Sequence, residues 1–186
     1  MILYHGSNVD IQAISLSACR PYKDFGKGFY LTDIPEQAER MADRVSRIYG
    51  GKPVLNIFEI DDAFLSSSNL KIKNFGEETS EEWARFVMNN RNKDFNDYSD
   101  PLCNFDSKYD IVIGPVADDN MAMLFRQYAE EVIDFDTLLK GMIYKKTSSQ
   151  YSFHTEAAIS LLRKVSYEWE KTINRVCATG YYRNDI

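Results

Sequence analysis

The sequence has few of the residues that build metal sites and covalent cross-links. Its 186 residues include 3 Cys and 2 His, and Cys19, Cys103 and Cys177 are too far apart to form a CxxC pair. A structural zinc site needs four such ligands, usually in closely spaced pairs. The composition therefore excludes a zinc-binding domain and a disulfide scaffold. It predicts no metal site and a reducing, cytoplasmic environment.

Long apolar runs are also absent. Every stretch falls short of the ~20 consecutive apolar residues of a transmembrane helix. The first residues, MILYHGS, lack the basic segment and apolar run of a secretory signal. With 44 % hydrophobic and 27 % charged residues, the composition is that of a globular protein. We therefore expect a single domain over residues 1–186, away from membranes.

Positive charge is scarce in the first three quarters of the chain. Residues 1–139 carry 14 basic and 24 acidic side chains, a net charge of −10, whereas residues 140–186 carry 8 and 4, a net charge of +4. Contact with phosphates needs clustered Lys and Arg. The balance excludes a general nucleic-acid binder. The basic C-terminal quarter suits either an acidic partner or a solvated helix face.

Short β-type runs alternate irregularly with helical patterns. Helical spacing of apolar residues occurs in 38–48, 83–87, 120–128 and 157–165, and Thr79 with Glu82 resembles a capping box before the second of these. The polar stretch 89–100 is typical of a long loop. The β-type runs cover residues 2–5, 28–32, 54–60, 110–116 and 150–154. This order predicts an α+β fold with a split, mostly antiparallel sheet.

The first motif is LYHGS at residues 3–7. His5 ends an apolar strand and offers two distinct ring nitrogens. Gly6 has no Cβ, so another group can approach its backbone closely. Ser7 adds a hydroxyl donor and acceptor. The pattern suits either a ligand site or a structural strand end.

The second motif is FGKGFYLTD at residues 25–33. Two glycines flanking Lys27 allow a sharp bend, and the following aromatic residues alternate across a strand. Tyr30 would then face a cleft while Phe29 enters the core. The alternative is a hairpin whose aromatic residues all fill the core. Because a strand rather than a helix follows, the G-x-G does not indicate a dinucleotide fold of the Rossmann type.

Together, HGS, FGKGFY about twenty residues later, and QYSF at residues 150–153 resemble the ADP-ribosyltransferase family. The likeness is to its poly(ADP-ribose) polymerase and diphtheria-toxin branch, with the His–Tyr–Glu signature. YDIVIGPVADDN at residues 109–120 looks like small bacterial toxin-type members. The resemblance implies an ADP-ribosyltransferase-like fold and transfer of ADP-ribose from NAD to a protein, nucleic acid or small molecule. It also implies a toxin–antitoxin setting, with an antitoxin protein as a candidate partner.

The resemblance also implies roles for individual residues. His5 would hydrogen-bond a ribose hydroxyl of NAD, and Gly6 would hold the nicotinamide carboxamide through its backbone, with Ser7 assisting. Tyr30 would stack on the nicotinamide ring, and Gly28 would let that ring come close. We expect the rings of His5 and Tyr30 to line one crevice.

The sequence departs from the signature at its glutamate, where Gln150 stands. The amide can still bond the ribose, but it cannot stabilise a cation by charge. Three interpretations follow: slower chemistry; a substitute carboxylate, Glu156 or Asp24; or a module that binds NAD or ADP-ribose without transfer. With water as the acceptor, the protein would be an NAD glycohydrolase. On this reasoning Gln150→Glu should raise NAD cleavage. The second aromatic residue that sandwiches the ring would fall near Met41.

Overall fold

A computed structural model describes residues 1–117, 119–142 and 148–165. This part of the chain forms seven strands and five α-helices. The strands are β1 (Ile2–Ser7), β2 (Phe29–Thr32), β3 (Val54–Glu59), β4 (Ile72–Asn74), β5 (Ile111–Pro115), β6 (Ser149–Phe153) and β7 (Arg163–Val165). The helices are α1 (Pro35–Tyr49), α2 (Glu81–Arg91), α3 (Asp119–Ala129), α4 (Phe135–Met142) and α5 (Glu156–Ile159).

The strands form one sheet in the order β4-β5-β6-β2-β1-β3-β7. Among the described strands, β4 and β5 pair in parallel and the other neighbours pair antiparallel. The α+β class and the mostly antiparallel sheet predicted from the sequence are thus confirmed.

The sheet is nearly divided between β1 and β2. In the described structure this ladder consists of the single pair Tyr4–Thr32. By contrast, β1 pairs with β3 along its whole length, from Ile2–Glu59 to Ser7–Val54. β1 and β2 therefore separate beyond Tyr4, which leaves an opening between them in the middle of the sheet.

Side chains alternate between two faces of the sheet, which we call the Tyr30 face and the Phe29 face after neighbouring residues of β2. On the Tyr30 face, α1 packs over β1 and β3 through Ala38, and α2, α3 and α4 cover β5 around Val112. The Phe29 face packs against α5 and against Phe64, which lies in a short 3₁₀ helix at Asp62–Ser66.

Two local predictions were wrong. The stripe over residues 157–165 is not one helix, because α5 is a single turn and Val165 belongs to β7, where it pairs with Ile57 of β3. The cap of α2 is Ser80 rather than Thr79, since the Ser80 hydroxyl accepts from Trp83 N–H at 3.1 Å. Within the described residues, every helix is too short or too polar to cross a membrane.

Candidate functional site

Gly6 lies at the opening between β1 and β2. Met1 N and Ile60 O are 2.7 Å apart, and Ile60 N donates back to Met1 O, so this pair is hydrogen-bonded. Hydrogen-bonded and non-hydrogen-bonded pairs alternate along an antiparallel ladder. The N–H and C=O of Tyr4 and Gly6 therefore point away from β3. Those of Tyr4 face Thr32, whereas those of Gly6 face the opening, because the ladder with β2 has ended.

A second constraint explains why residue 6 is a glycine. A Cβ at this position would overlap the Ala38 carbonyl oxygen and lie 2.6 Å from Ala42 N. The backbone of α1 thus rests directly on Gly6. This helix contact requires glycine whether or not a ligand binds the backbone.

His5 is held at the opening by a hydrogen bond to β2. Its Nδ1 donates to the Tyr30 carbonyl oxygen at 2.7 Å, and because a carbonyl only accepts, the neutral ring keeps Nε2 as an acceptor. The ring stacks on Phe29 with centroids 4.6 Å apart. Burial lowers the pKa of His5, and the bond to the Tyr30 carbonyl partly offsets this effect. At neutral pH the imidazole therefore presents a lone pair.

The phenol of Tyr30 is fixed by the turn that precedes β2. Its hydroxyl donates to the Gly26 carbonyl oxygen at 2.7 Å and accepts from Phe25 N–H at 3.0 Å. Burial raises the pKa of Tyr30 well above its usual value, and the nearby charge of Asp24 adds to this rise. The phenol therefore stays protonated and is held by two hydrogen bonds. Tyr30 is half-buried, so part of its surface is accessible.

The rings of His5 and Tyr30 lie on opposite faces of the sheet, which differs from the shared crevice expected from the sequence. The pair Tyr4–Thr32 places Gly6 level with Tyr30 and on the same face, so His5 falls on the other face, against Phe29. The two residues meet through the Tyr30 carbonyl rather than through their rings.

The two glycines of the GKG turn serve the protein's own packing. Gly26 has a φ of +90°, a conformation that favours glycine. A Cβ on Gly28 would lie 2.6 Å from Nδ1 of His154. The His154 ring occupies the space that a side chain at position 28 would need. Glycine is therefore required here by contact with His154, whereas the sequence suggested that it allows nicotinamide to approach.

Gln150 lies on β6, on the Tyr30 face. It pairs with Thr32 of β2, so it is a diagonal neighbour of Tyr30 across the two strands. Its Nε2 donates to Asp24 Oδ2 at 2.8 Å and to the Pro115 carbonyl oxygen at 3.3 Å. Both partners only accept, which fixes the orientation of the amide. Gln150 is 9 % exposed, and no described residue donates to its Oε1.

Asp24 lies in the same turn as Gly26 and is 7 % exposed. Its Oδ1 accepts from Arg91 Nε at 2.8 Å and from Nη2 at 2.6 Å. Its Oδ2 accepts from Ala117 N–H at 3.2 Å as well as from Gln150. The carboxylate therefore connects the turn to α2, to the chain after β5 and to β6.

The remaining predicted residues lie apart from this network. The Ser7 hydroxyl accepts from Val9 N–H at 3.3 Å, which is a local turn contact. Glu156 begins α5 and lines an open cavity of about 300 Å³ with Phe58. This cavity is on the Phe29 face, whereas Gln150 is on the Tyr30 face, so Glu156 cannot substitute for a carboxylate at position 150. Met41 on α1 is 49 % exposed, next to the turn that packs on Gly6.

Sequence reasoning missed Arg91, the cation that pairs with Asp24. It lies 67 residues further along the chain, and no local pattern links the two. In the described ranges, 1–117, 119–142 and 148–165, no three His, Cys, Asp or Glu side chains cluster as metal ligands would. Among the described residues of this network, Asp24 and Arg91 form the ion pair.

Comparison with known proteins adds one finding. The model of a family described as a protein of unknown function, DUF3990, matches residues 1–164. Neither the curated proteins nor the solved structures include a match to the chain. Because the matched region covers most of the 186 residues, the chain belongs to the DUF3990 family.

Proposed function

We propose that the protein is an NAD-dependent mono-ADP-ribosyltransferase whose site lies on the Tyr30 face at the opening between β1 and β2. The observation that carries the proposal is the Gln150 amide, a buried group with an unpartnered Oε1 among the described residues. A buried acceptor without a donor is costly, so it marks a place for a ligand hydroxyl. By the resemblance of QYSF to the last motif of the ADP-ribosyltransferase family, Gln150 corresponds to the signature glutamate.

The surrounding groups suit the parts of NAD. The Gly6 N–H and C=O are a donor and an acceptor for the nicotinamide carboxamide. The half-buried Tyr30 ring is a flat surface for the nicotinamide ring, and exposed Met41 is a second surface near the Gly6 backbone. His5 lies on the Phe29 face, so it supports the site by holding the Tyr30 carbonyl oxygen through Nδ1.

The reaction needs little acid–base chemistry. The bond between the ribose C1′ and the nicotinamide nitrogen breaks, and nicotinamide leaves as a neutral ring with the bonding pair. The acceptor forms a new bond to C1′ and releases a proton. The transition state resembles an oxocarbenium ion, as in glycoside hydrolysis. A fixed ring and an oriented ribose lower this barrier by positioning, and Oε1 of Gln150 faces the developing charge as the negative end of a dipole.

Nicotinamide release from NAD tests the proposal, because water can serve as the acceptor when the natural one is unknown. We expect the pure protein to release nicotinamide and to transfer labelled ADP-ribose to a component of a cell lysate. Gln150→Leu should reduce the release of nicotinamide. The control is Gln12→Leu, which should not, because Gln12 is exposed and lies near Phe58 on the Phe29 face. A protein that neither binds NAD nor releases nicotinamide would contradict the proposal.

A second candidate function is binding of NAD or ADP-ribose without transfer. The uncharged Gln150 favours it, because an amide stabilises a cation less than a carboxylate does. Calorimetric titration with NAD separates the two. Tight binding without nicotinamide release supports the binding module, and release at a steady rate supports the enzyme.

A further inference from the structure

We infer that Asp24 is the positioning residue of this site and that it acts through Gln150. The inference rests on the proposed function for its chemistry, but its geometric part stands on the contacts alone. Asp24 does not replace the missing glutamate at the ribose. It sets which end of the Gln150 amide faces the ligand.

The donors around Asp24 determine this orientation. Arg91 occupies Oδ1 with two N–H groups, and Ala117 N–H occupies part of Oδ2. Oδ2 accepts its second hydrogen bond from Gln150 Nε2 at 2.8 Å. With all these donors in place, the carboxylate has no free edge for a ribose. Its influence on a ligand must therefore pass through the Gln150 amide.

The amide of Gln150 has two hydrogens, and both are used. One points to Asp24 and the other to the Pro115 carbonyl oxygen. Turning the amide over would place Oε1 against two acceptors, so Oε1 is held away from both of them. A hydrogen bond to a carboxylate also polarises the amide and makes Oε1 a better acceptor.

The same turn also fixes Tyr30. Phe25 N–H and the Gly26 carbonyl oxygen, which directly follow Asp24 in the chain, hold the phenol hydroxyl. One short segment thus sets the position of the ring surface and the direction of the amide acceptor. Its anchor is the pair of Asp24 with Arg91.

The first experiment exchanges the carboxylate and the amide. In Asp24→Asn, Arg91 offers only donors, so the Asn oxygen turns to it and the Asn NH2 faces the NH2 of Gln150. In Gln150→Glu, two carboxylates face each other. In the double variant, the NH2 of residue 24 again donates to residue 150. We expect each single change to lower kcat for nicotinamide release about tenfold, with little change in KM. The double variant should recover part of the loss, because the contact between residues 24 and 150 is restored while the Pro115 carbonyl and the Ala117 N–H remain without their partners.

Asp43→Asn is the matched control, because Asp43 is exposed on α1, and it should keep the wild-type kcat. A merely structural role for Asp24 would lower the stability of the protein without this kcat pattern. The inference is overturned if Asp24→Asn keeps the wild-type kcat, or if the double variant is no better than the product of the single losses.

A second measurement decides the geometry even for a protein without turnover. The side-chain NH2 resonances of Gln150, assigned by their loss in Gln150→Glu, should exchange slowly with solvent and should exchange quickly in Asp24→Asn. If the wild type releases no nicotinamide but these signals respond, the proposed function fails and the positioning by Asp24 stands. If the signals are unchanged in Asp24→Asn, the positioning role fails, whatever the activity.

Discussion

His154 provides a quantitative test of the packing behind the Tyr30 turn. The side chain is 4 % exposed. Its Nδ1 donates to the Lys27 carbonyl oxygen at 2.9 Å, and its Nε2 lies 2.8 Å from the Ser152 hydroxyl. Because a carbonyl only accepts, the neutral ring carries its proton on Nδ1. The single hydrogen of the Ser152 hydroxyl is shared between the Nε2 lone pair and the Val112 carbonyl oxygen at 3.1 Å. Burial away from water disfavours the charged form of this ring.

The cost of charging this ring follows from its pKa. Burial lowers the pKa of His154 to about 4 from the ordinary 6.5, although the Lys27 carbonyl and the charge of Asp110 act in the opposite direction. The unfolded chain binds the proton first as pH falls, so stability decreases below about pH 6.5 and levels off below about pH 4. The full difference is about 3 kcal/mol. About 2 kcal/mol of it is lost between pH 7.5 and pH 5.

The assay compares the wild type with His154→Gln. A Gln amide can donate to Lys27 and accept from Ser152, but it does not titrate. Urea unfolding at pH 7.5 and pH 5 should show that the wild type loses about 2 kcal/mol more than the variant. The other titrating groups are common to both proteins, so the difference isolates His154.

Parallel pH profiles for the two proteins would refute this reasoning. A direct titration of the folded protein gives a second check that needs no unfolding. The chain contains 2 His, so His5→Gln assigns the two imidazole resonances in an NMR spectrum. A folded His154 that titrates near its ordinary pKa would show that water reaches the ring and that the turn is looser than described.

Three further predictions concern the opening and its supports. Gly6→Ala places a Cβ against the backbone of α1 and should lower the free energy of unfolding by about 3 kcal/mol or more, measured in urea. Arg91→Gln leaves the buried Asp24 without its cation and should cost about 2 kcal/mol. Arg85→Gln breaks an exposed helix pair with Glu81 and a cation–π contact with Phe135 and should cost about 1 kcal/mol; equal losses would contradict the role of burial. Expression of the wild type should slow cell growth and His5→Ala should relieve this, whereas equal growth would remove the toxin hypothesis.

The strands that form the centre of the sheet could be predicted from the sequence. All five predicted runs are strands, each with ends within two residues of the prediction, because they are rich in β-branched and aromatic residues bounded by turns. The missed strands, β4 and β7, have three residues each. Such lengths are too short to show a period of two, and their pairing with β5 and β3 is a tertiary effect.

The candidate site could be predicted only in part. The motifs identified Tyr30, Gly6 and Gln150, and these three residues do share one face of the sheet. The motifs did not predict that His5 lies on the other face. That depends on the register of β1 against β2, which the sequence does not encode locally. The contact between Asp24 and Gln150 joins residues 126 positions apart. The sequence shows that Asp24 lies next to the FGKGFYLTD motif, but it does not show that Asp24 contacts Arg91 and Gln150.

The network around Asp24 changes what a carboxylate at position 150 would do. A full charge 4 Å from a developing cation is worth up to ~4 kcal/mol at an effective dielectric of 20, or nearly a thousandfold in rate. Asp24 does not supply this benefit, since Arg91 neutralises it at 2.6 Å. Gln150→Glu does not supply it either, because the new carboxylate would meet that of Asp24 and the Pro115 carbonyl. The expectation that this change raises NAD cleavage is therefore reversed for the single variant. A site that orients its ligand and offers it a polarised amide, without a free carboxylate, should hydrolyse NAD slowly. The double variant Asp24→Asn with Gln150→Glu should hydrolyse NAD faster than either single variant.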